Sequence, residues 1–173
     1  FASGIVVASG RWGSDILTVA HAIDAALNIR VTIGNKQVAP ARIVGRDTVR
    51  DIALVRTHKS NLPVAPLGAS DDARSGATIG LLGYPIPDQF ESEDLGLATS
   101  LSSGIISTIR REAIEVTLQI VPGESGGPIF LSDTGEIVGV AEARFEDEHS
   151  IGFAVPIDSA KRFLHKYDAS HGF

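Results

Sequence analysis

Three segments of the chain carry a serine, a histidine and an aspartate in settings that could support nucleophilic catalysis. Ser125 lies within Gly123-Glu124-Ser125-Gly126-Gly127-Pro128, where the glycines permit a tight backbone turn that presents a hydroxyl. His21 directly follows an apolar run, and Asp51 directly precedes one. A serine hydroxyl becomes a useful nucleophile only when a neighbouring base takes its proton, and an imidazole oriented by a carboxylate is such a base. The three residues together therefore predict acyl-transfer chemistry.

Each residue also has a purely structural interpretation. Ser125 could belong to a simple chain reversal, His21 could be a hydrogen-bonded core residue, and Asp51 could cap a turn. Asp24 and Asp47 are competing carboxylates, but neither leads directly into an apolar strand. The order of histidine, aspartate and serine, each beside a predicted strand, favours the catalytic interpretation over three independent structural ones.

Composition narrows the class of protein. The 173 residues are 43% hydrophobic and 21% charged, which is typical of a globular domain with a substantial core. A formal charge of −6 argues against nucleic acid as a partner. Without cysteine there is no disulfide framework or thiolate zinc site. The sequence has no run of about 20 apolar residues, the length that would predict a membrane span. We expect no metal site and no cofactor.

Short β-rich runs separated by glycine and proline dominate the chain and predict a barrel or sandwich. The runs are 4–8, 15–19, 29–33, 38–44, 52–56, 78–82, 104–109, 114–120, 128–131, 137–143 and 152–155. Residues 61–68 are the best candidate linker, and the proline- and acid-rich residues 85–93 are expected to form a loop. A C-terminal helix is predicted where Ala160, Phe163, Leu164 and Tyr167 repeat with helical spacing, after Asp158 or Ser159 as its cap.

The chain resembles the trypsin-like serine peptidases, and most closely their HtrA/Deg branch. The similarity covers nearly the whole chain. It is carried by Ser3-Gly4-Ile5-Val6-Val7, Ile16-Leu17-Thr18-Val19-Ala20-His21, Asp51-Ile52-Ala53-Leu54, Ser103-Gly104-Ile105-Ile106-Ser107, the Ser125 motif, Gly135-Glu136-Ile137-Val138-Gly139-Val140 and Ile151-Gly152-Phe153-Ala154-Val155-Pro156.

The resemblance implies an all-β fold of two packed six-stranded antiparallel β-barrels followed by a short C-terminal helix. The barrels would span residues 1–67 and 75–157, and the helix residues 158–167. The active site would lie in the cleft, with His21 and Asp51 from the first barrel and Ser125 from the second. The backbone N–H groups of Gly123 and Ser125 would form the oxyanion hole.

The resemblance also indicates a pocket for the substrate residue before the cut. Gln119 and Ile120 would approach its floor, and Ala141, Glu142 and Ala143 its wall, with residues 140–144 pairing with substrate as an added strand. A small or medium aliphatic residue is expected there. Strand alternation leaves open whether Glu142 faces inward and favours a cation instead.

The chain departs from the family pattern in several places. Glu124 stands where the HtrA branch usually has asparagine and the trypsins have aspartate, so it should find another donor or face water, without a trypsin-style zymogen switch. The connection at residues 111–113 is shorter than the usual regulatory loop, and the loop at 85–95 is longer and more acidic. The chain begins at Phe1 within a predicted strand, so we expect a piece of a longer protein.

The sequence thus predicts a serine endopeptidase that acts on proteins or peptides through a His21-Asp51-Ser125 triad. Two alternatives remain: a catalytically idle peptide-binding module on the same fold, and an esterase using the same nucleophile. The resemblance favours an extracytoplasmic location, periplasmic or secreted, and the residues do not determine the oligomeric state.

Overall fold

The structure is a computed structural model that describes residues 1–34, 37–93, 96, 98–142 and 151–168. Every predicted β-rich run overlaps a strand, although several strands extend beyond the predicted bounds. The strands are β1 (Ile5–Gly10), β2 (Gly13–Thr18), β3 (Ile29–Ile33), β4 (Gln37–Asp47), β5 (Ile52–Thr57), β6 (Thr78–Gly83), β7 (Ser100–Ile109), β8 (Ile114–Val116), β9 (Pro128–Leu131), β10 (Ile137–Glu142) and β11 (Gly152–Pro156). The helices are α1 (Pro87–Ser92) and α2 (Ile157–Asp168), with a short 3₁₀ turn at Ser70–Asp72.

The first lobe is an open antiparallel sheet in the order β1-β2-β5-β4-β3, so the predicted six-stranded first barrel is wrong. The sequence has only five strand-like runs before the linker. In the structure the linker, and not a sixth strand, contacts the outer edge of β1. The Ala65 N–H of the linker donates to the Val6 carbonyl at 2.9 Å. Pairing of Thr18 with Ala53 sets the end of β2 beside the start of β5, which places the residues that follow β2 next to those that precede β5.

The second lobe is a closed six-stranded antiparallel barrel in the order β10-β11-β8-β7-β6-β9, as predicted. Its interior is filled by β-branched and leucine side chains, among them the fully buried Ile79, Leu81 and Ile114. Alternate residues of β6, β8 and β9 supply this core because successive side chains point to opposite faces.

A second apolar cluster joins the two lobes. Ile5, Leu17 and Ile52 of the first lobe pack with Val140 and Val155 of the second, and all are buried. The linker adds backbone bonds on the same side, since the Gly68 N–H donates to the Ile137 carbonyl at 2.9 Å. The relative position of the lobes is therefore fixed by hydrophobic burial, which favours a defined geometry for any site between them.

Helix α2 lies where the periodicity predicted it, and its Ala160 and Phe163 are buried against the inter-lobe cluster. The predicted cap at Asp158 or Ser159 is wrong, because the helix begins at Ile157 and both residues lie within its first turn. The Asp158 N–H donates to Ser70 Oγ at 3.0 Å, and the Asp158 carboxylate accepts from the Ser70 N–H at 3.0 Å. Within the part of the chain that is described, no helix combines the length and hydropathy needed to span a bilayer.

The expectation that residues 85–93 form only a loop is wrong, because α1 occupies part of this segment. Pro87 begins the helix at a position where its missing N–H has no intrahelical partner to lose. The segment has too few apolar residues at helical spacing for such a short helix to be recognised from the sequence.

Candidate active site

His21 and Asp51 are brought together by the pairing of β2 with β5. His21 Nδ1 lies 2.6 Å from Asp51 Oδ2, and the His21 backbone N–H donates to Asp51 Oδ1 at 2.8 Å. When the imidazole carries its proton on Nδ1, it donates to this carboxylate and Nε2 is the acceptor. The His21 side chain is 51% exposed and that of Asp51 only 16%. The imidazole is therefore reachable from solvent while its carboxylate partner is largely covered.

Asp51 owes its position to a turn that ends in the left-handed region, with φ of 52°. Aspartate tolerates this conformation better than most residues with a side chain. Asp47 holds the start of the turn, since its Oδ1 accepts from the backbone N–H groups of Val49 and Arg50, both at 3.1 Å. Burial raises the pKa of Asp47, but the backbone and side-chain hydrogen bonds from Arg50 outweigh it and lower the pKa below its ordinary value.

The two competing carboxylates are accounted for elsewhere. Asp47 has the turn-forming role just described, and Asp24 pairs with the Arg46 guanidinium at 3.0 Å on the exposed surface. Among these three aspartates the His21 ring contacts Asp51, which agrees with the preference drawn from the apolar run after Asp51.

The turn that carries Ser125 has its backbone carbonyls fixed one after another. Glu124 N–H donates to the Val121 carbonyl at 3.0 Å, Ile86 N–H to that of Pro122 at 2.8 Å, and Gly127 N–H to that of Glu124 at 2.9 Å. In a trans peptide the N–H points opposite to the C=O. Because the Pro122 carbonyl faces Ile86, the Gly123 N–H faces away from Ile86, and it donates to none of the described residues.

Gly123 and Gly126 are required by this geometry. Their φ values are 96° and 88°, which disfavour any residue with a side chain. A Cβ on Gly123 would also collide with the Tyr84 carbonyl oxygen, and one on Gly126 with the Ser3 carbonyl oxygen. The predicted tight turn is thus present, and Ser125 lies within it with only 4% of its surface exposed.

Glu124 is buried and has found a donor inside the same turn, one of the two outcomes expected for it. Its Oε2 accepts from the Val121 N–H at 3.0 Å. Burial raises the pKa of Glu124 above its ordinary value, and the hydrogen bond from Val121 only partly opposes this rise. The carboxyl therefore braces the turn from within.

The serine turn is tied directly to the end of β2. Ser3 N–H donates to the Ser125 carbonyl at 2.8 Å, and Thr18 Oγ1 donates to the Ser3 carbonyl at 2.7 Å. A Cβ built on Gly126 would lie 2.5 Å from Thr18 Oγ1. Because Thr18 precedes His21 by three residues, these contacts bring the Ser125 turn to the neighbourhood of the His21–Asp51 pair.

The predicted pocket residues fall into different environments. Gln119 is exposed, whereas Ile120 and Ala141 belong to the barrel core. Ala141 already uses both backbone groups on the serine turn, accepting from Gly126 N–H at 2.8 Å and donating to the Gly127 carbonyl at 2.9 Å. Glu142 is buried at the end of β10, and Ala143 lies outside the described residues.

Sequence reasoning missed two contributors to the turn. Ser3 reaches it with both backbone and side chain, and Ile86 donates to Pro122 from a strained backbone with φ of 35°. Ser3 was recognised only as part of a segment that carries the family resemblance, and Ile86 had no signal, because an isoleucine between prolines occurs in many loops. The described residues hold no cluster of three metal-ligating side chains.

Comparison with known proteins identifies the family to which the fold belongs. Residues 2–140 match the family described as "Trypsin-like peptidase domain". A relative from Halomonas elongata, named "Probable periplasmic serine endoprotease DegP-like", is 33% identical over 169 residues, covering 91% of this chain and 33% of that protein. The structure resembles that of the serine endoprotease from Yersinia pestis, with a TM-score of 0.79 and 30% identity, covering 95% of this chain and 56% of that one.

A second solved structure, described as "HtrA-type protease AlgW with decapeptide", gives a TM-score of 0.80 at 27% identity over 95% of this chain and 50% of that one. The chain spans 33–38% of the length of three curated relatives that it matches. The matched family, the identity and the shared fold lead to one conclusion: the chain belongs to the trypsin-like peptidases and is homologous to the HtrA/DegP-like serine proteases.

Proposed function

We propose that this chain is a serine endopeptidase that hydrolyses peptide bonds with Ser125 as nucleophile, His21 as general base and Asp51 as the group that orients the imidazole. The observation that carries the proposal is the 2.6 Å contact between His21 Nδ1 and Asp51 Oδ2, on a strand end tied through Ser3 to the Ser125 turn. The contact supports the proposal because it orients an accessible imidazole on the side of the molecule to which the Ser125 turn is tied.

In the proposed mechanism Ser125 Oγ attacks the scissile carbonyl while His21 Nε2 takes the hydroxyl proton. The tetrahedral oxyanion accepts hydrogen bonds from the N–H groups of Gly123 and Ser125, and Asp51 stabilises the imidazolium. His21 then protonates the leaving amine, which departs as the acyl-enzyme forms. Water, deprotonated by His21, releases the acid and regenerates Ser125. The orientation of the Gly123 N–H, away from Ile86 and without a described acceptor, supports its role as a donor.

We propose an extended peptide as the substrate, bound near Gln119, Ile120, Glu142 and Ala143. The support is that a homologous structure is described with a decapeptide. Because the backbone groups of Ala141 are engaged by Gly126 and Gly127, added-strand pairing with substrate would involve the residues after it. By homology to proteins named periplasmic, we also propose an extracytoplasmic location, which fractionation of the native cells would test.

The test is digestion of a peptide library by wild type and by Ser125→Ala, with Ser132→Ala as a matched control. Ser132 is an exposed serine of the same lobe at the end of β9. Ser125→Ala should lower kcat/KM by about three orders of magnitude or more, and Ser132→Ala should leave it unchanged. Equal cleavage by Ser125→Ala and wild type would contradict the assignment.

The same samples separate the alternatives. An idle binding module would bind library peptides without turnover and resist labelling by a fluorophosphonate. An esterase would turn over activated esters while leaving the matching amides intact. A peptidase should be labelled and should cleave both.

A further inference from the structure

Ser3 of the first lobe hydrogen-bonds to the serine turn. It is 5% exposed and lies just before β1. All of its polar groups are engaged. Ser3 Oγ donates to the Gly123 carbonyl at 2.7 Å and accepts from the Tyr84 N–H at 3.1 Å, the N–H donates to the Ser125 carbonyl, and the carbonyl accepts from Thr18.

The two carbonyls that Ser3 holds flank the segment proposed to bind the oxyanion. Gly123 is the residue of that segment with the greatest backbone freedom. The peptide before it is held by Ile86 on the Pro122 carbonyl, and the peptide after it by the Ser3 hydroxyl on its own carbonyl. Both peptide planes on either side of the Gly123 Cα are therefore fixed. Removing the Ser3 hydroxyl frees one of them.

We propose that Ser3 is a positioning residue that holds the Gly123–Ser125 backbone in the shape needed to stabilise an oxyanion. The inference rests on the proposed peptidase function and adds a residue 120 positions away from Gly123 in the chain. Ser3 contacts no reacting atom, and its effect is transmitted through the Gly123 and Ser125 carbonyls.

The role predicts a specific kinetic signature. Loss of a direct oxyanion donor costs about 100- to 1000-fold in kcat, so loosening the donor through Ser3 should cost less, about 10- to 100-fold. The substrate is bound by other residues, so KM should stay within about twofold, because only the transition state draws on the oxyanion donors. A peptide boronic acid, whose tetrahedral adduct places an oxygen in the same position, should bind more weakly by the same factor as kcat falls.

Ser14 provides the matched control. It is a fully buried serine of the same lobe whose Oγ donates to the Lys59 carbonyl at 2.7 Å, and it makes no contact with the turn. Ser3→Ala and Ser14→Ala each remove a buried hydroxyl that donates to a backbone carbonyl. Both should lower the free energy of unfolding, but only Ser3→Ala should lower kcat and weaken the boronic acid.

The experiment measures kcat, KM and boronic acid affinity for wild type, Ser3→Ala, Ser14→Ala and Ser125→Ala. If wild type cleaves peptides and Ser3→Ala has an unchanged kcat, or Ser14→Ala loses as much, the positioning role is overturned while the proposed function stands. If wild type cleaves no better than Ser125→Ala, both proposals fail. Should Ser3→Ala not fold, Ser3→Cys keeps the shape with a weaker donor and is expected to lose about tenfold in kcat.

Discussion

The two lobes hold their parts of the candidate site by different means. In the first lobe one side chain orients another, since the Asp51 carboxyl contacts the half-exposed His21 imidazole. In the second lobe the serine turn is held by hydrogen bonds to its backbone carbonyls and by glycines with positive φ. The carboxyl of that turn, Glu124, is buried and accepts from a backbone N–H. We expect charge to matter more on the first side and shape on the second, and the following predictions test that difference.

The largest effect is expected from removing the charge of Asp51 while keeping its size. Asp51→Asn should lower kcat/KM for peptide cleavage by about four orders of magnitude, because an amide no longer fixes the tautomer of His21 or stabilises its imidazolium. Asp24→Asn is the matched control, since Asp24 pairs with Arg46 on the surface. It should stay within about twofold of wild type. A loss of less than tenfold in Asp51→Asn would remove Asp51 from the mechanism.

The next prediction tests shape in the second lobe with an uncharged change. Gly126→Ala combines a positive φ with a collision against the Ser3 carbonyl, so it should lower the free energy of unfolding by about 3–5 kcal/mol and abolish cleavage.

Gly135→Ala separates the two causes, because Gly135 also has a positive φ of 74° but open space where the Cβ would lie. It should cost only about 1–2 kcal/mol and leave kcat unchanged. Chemical denaturation of both variants, with kinetics on the folded fractions, makes the comparison. Equal losses in the two would mean that the contact between Gly126 and Ser3 has no role of its own.

The same difference explains how far the sequence could be interpreted. The strands and the pairing of His21 with Asp51 were predictable because each depends on short runs. The antiparallel pairing of β2 with β5 then places the two residues next to each other. Whether the first lobe forms a closed barrel or an open sheet was not predictable. This depends on which segment lies along the edge of β1. No local pattern encodes the Ala65 contact that the linker makes there.

The second lobe shows the limit more sharply. The glycines around Ser125 predicted a tight turn, but not what supports it. Ser3 meets Gly123 across 120 residues, and the donor of Glu124 depends on how the turn itself folds. Contacts of this kind arise from tertiary packing, so residue type and spacing alone leave them undetermined.

The smallest effect is expected at Glu124, where the change from carboxylate to amide mirrors that at Asp51. Burial raises the pKa of Glu124, so its stabilising contribution is present below its ordinary pKa and is lost as the pH rises through the raised value in the folded state. Glu124→Gln keeps an acceptor for the Val121 N–H and removes the buried charge. Its stability relative to wild type should therefore improve from acid to neutral pH, by about 1 kcal/mol or less, with kcat within a few-fold.

Glu124→Ala, which leaves the Val121 N–H without its acceptor, should lose both stability and kcat. Unfolding curves of wild type and both variants, recorded from acid to neutral pH, would decide the matter. A Gln variant as inactive as Asp51→Asn would show that charge matters in both lobes.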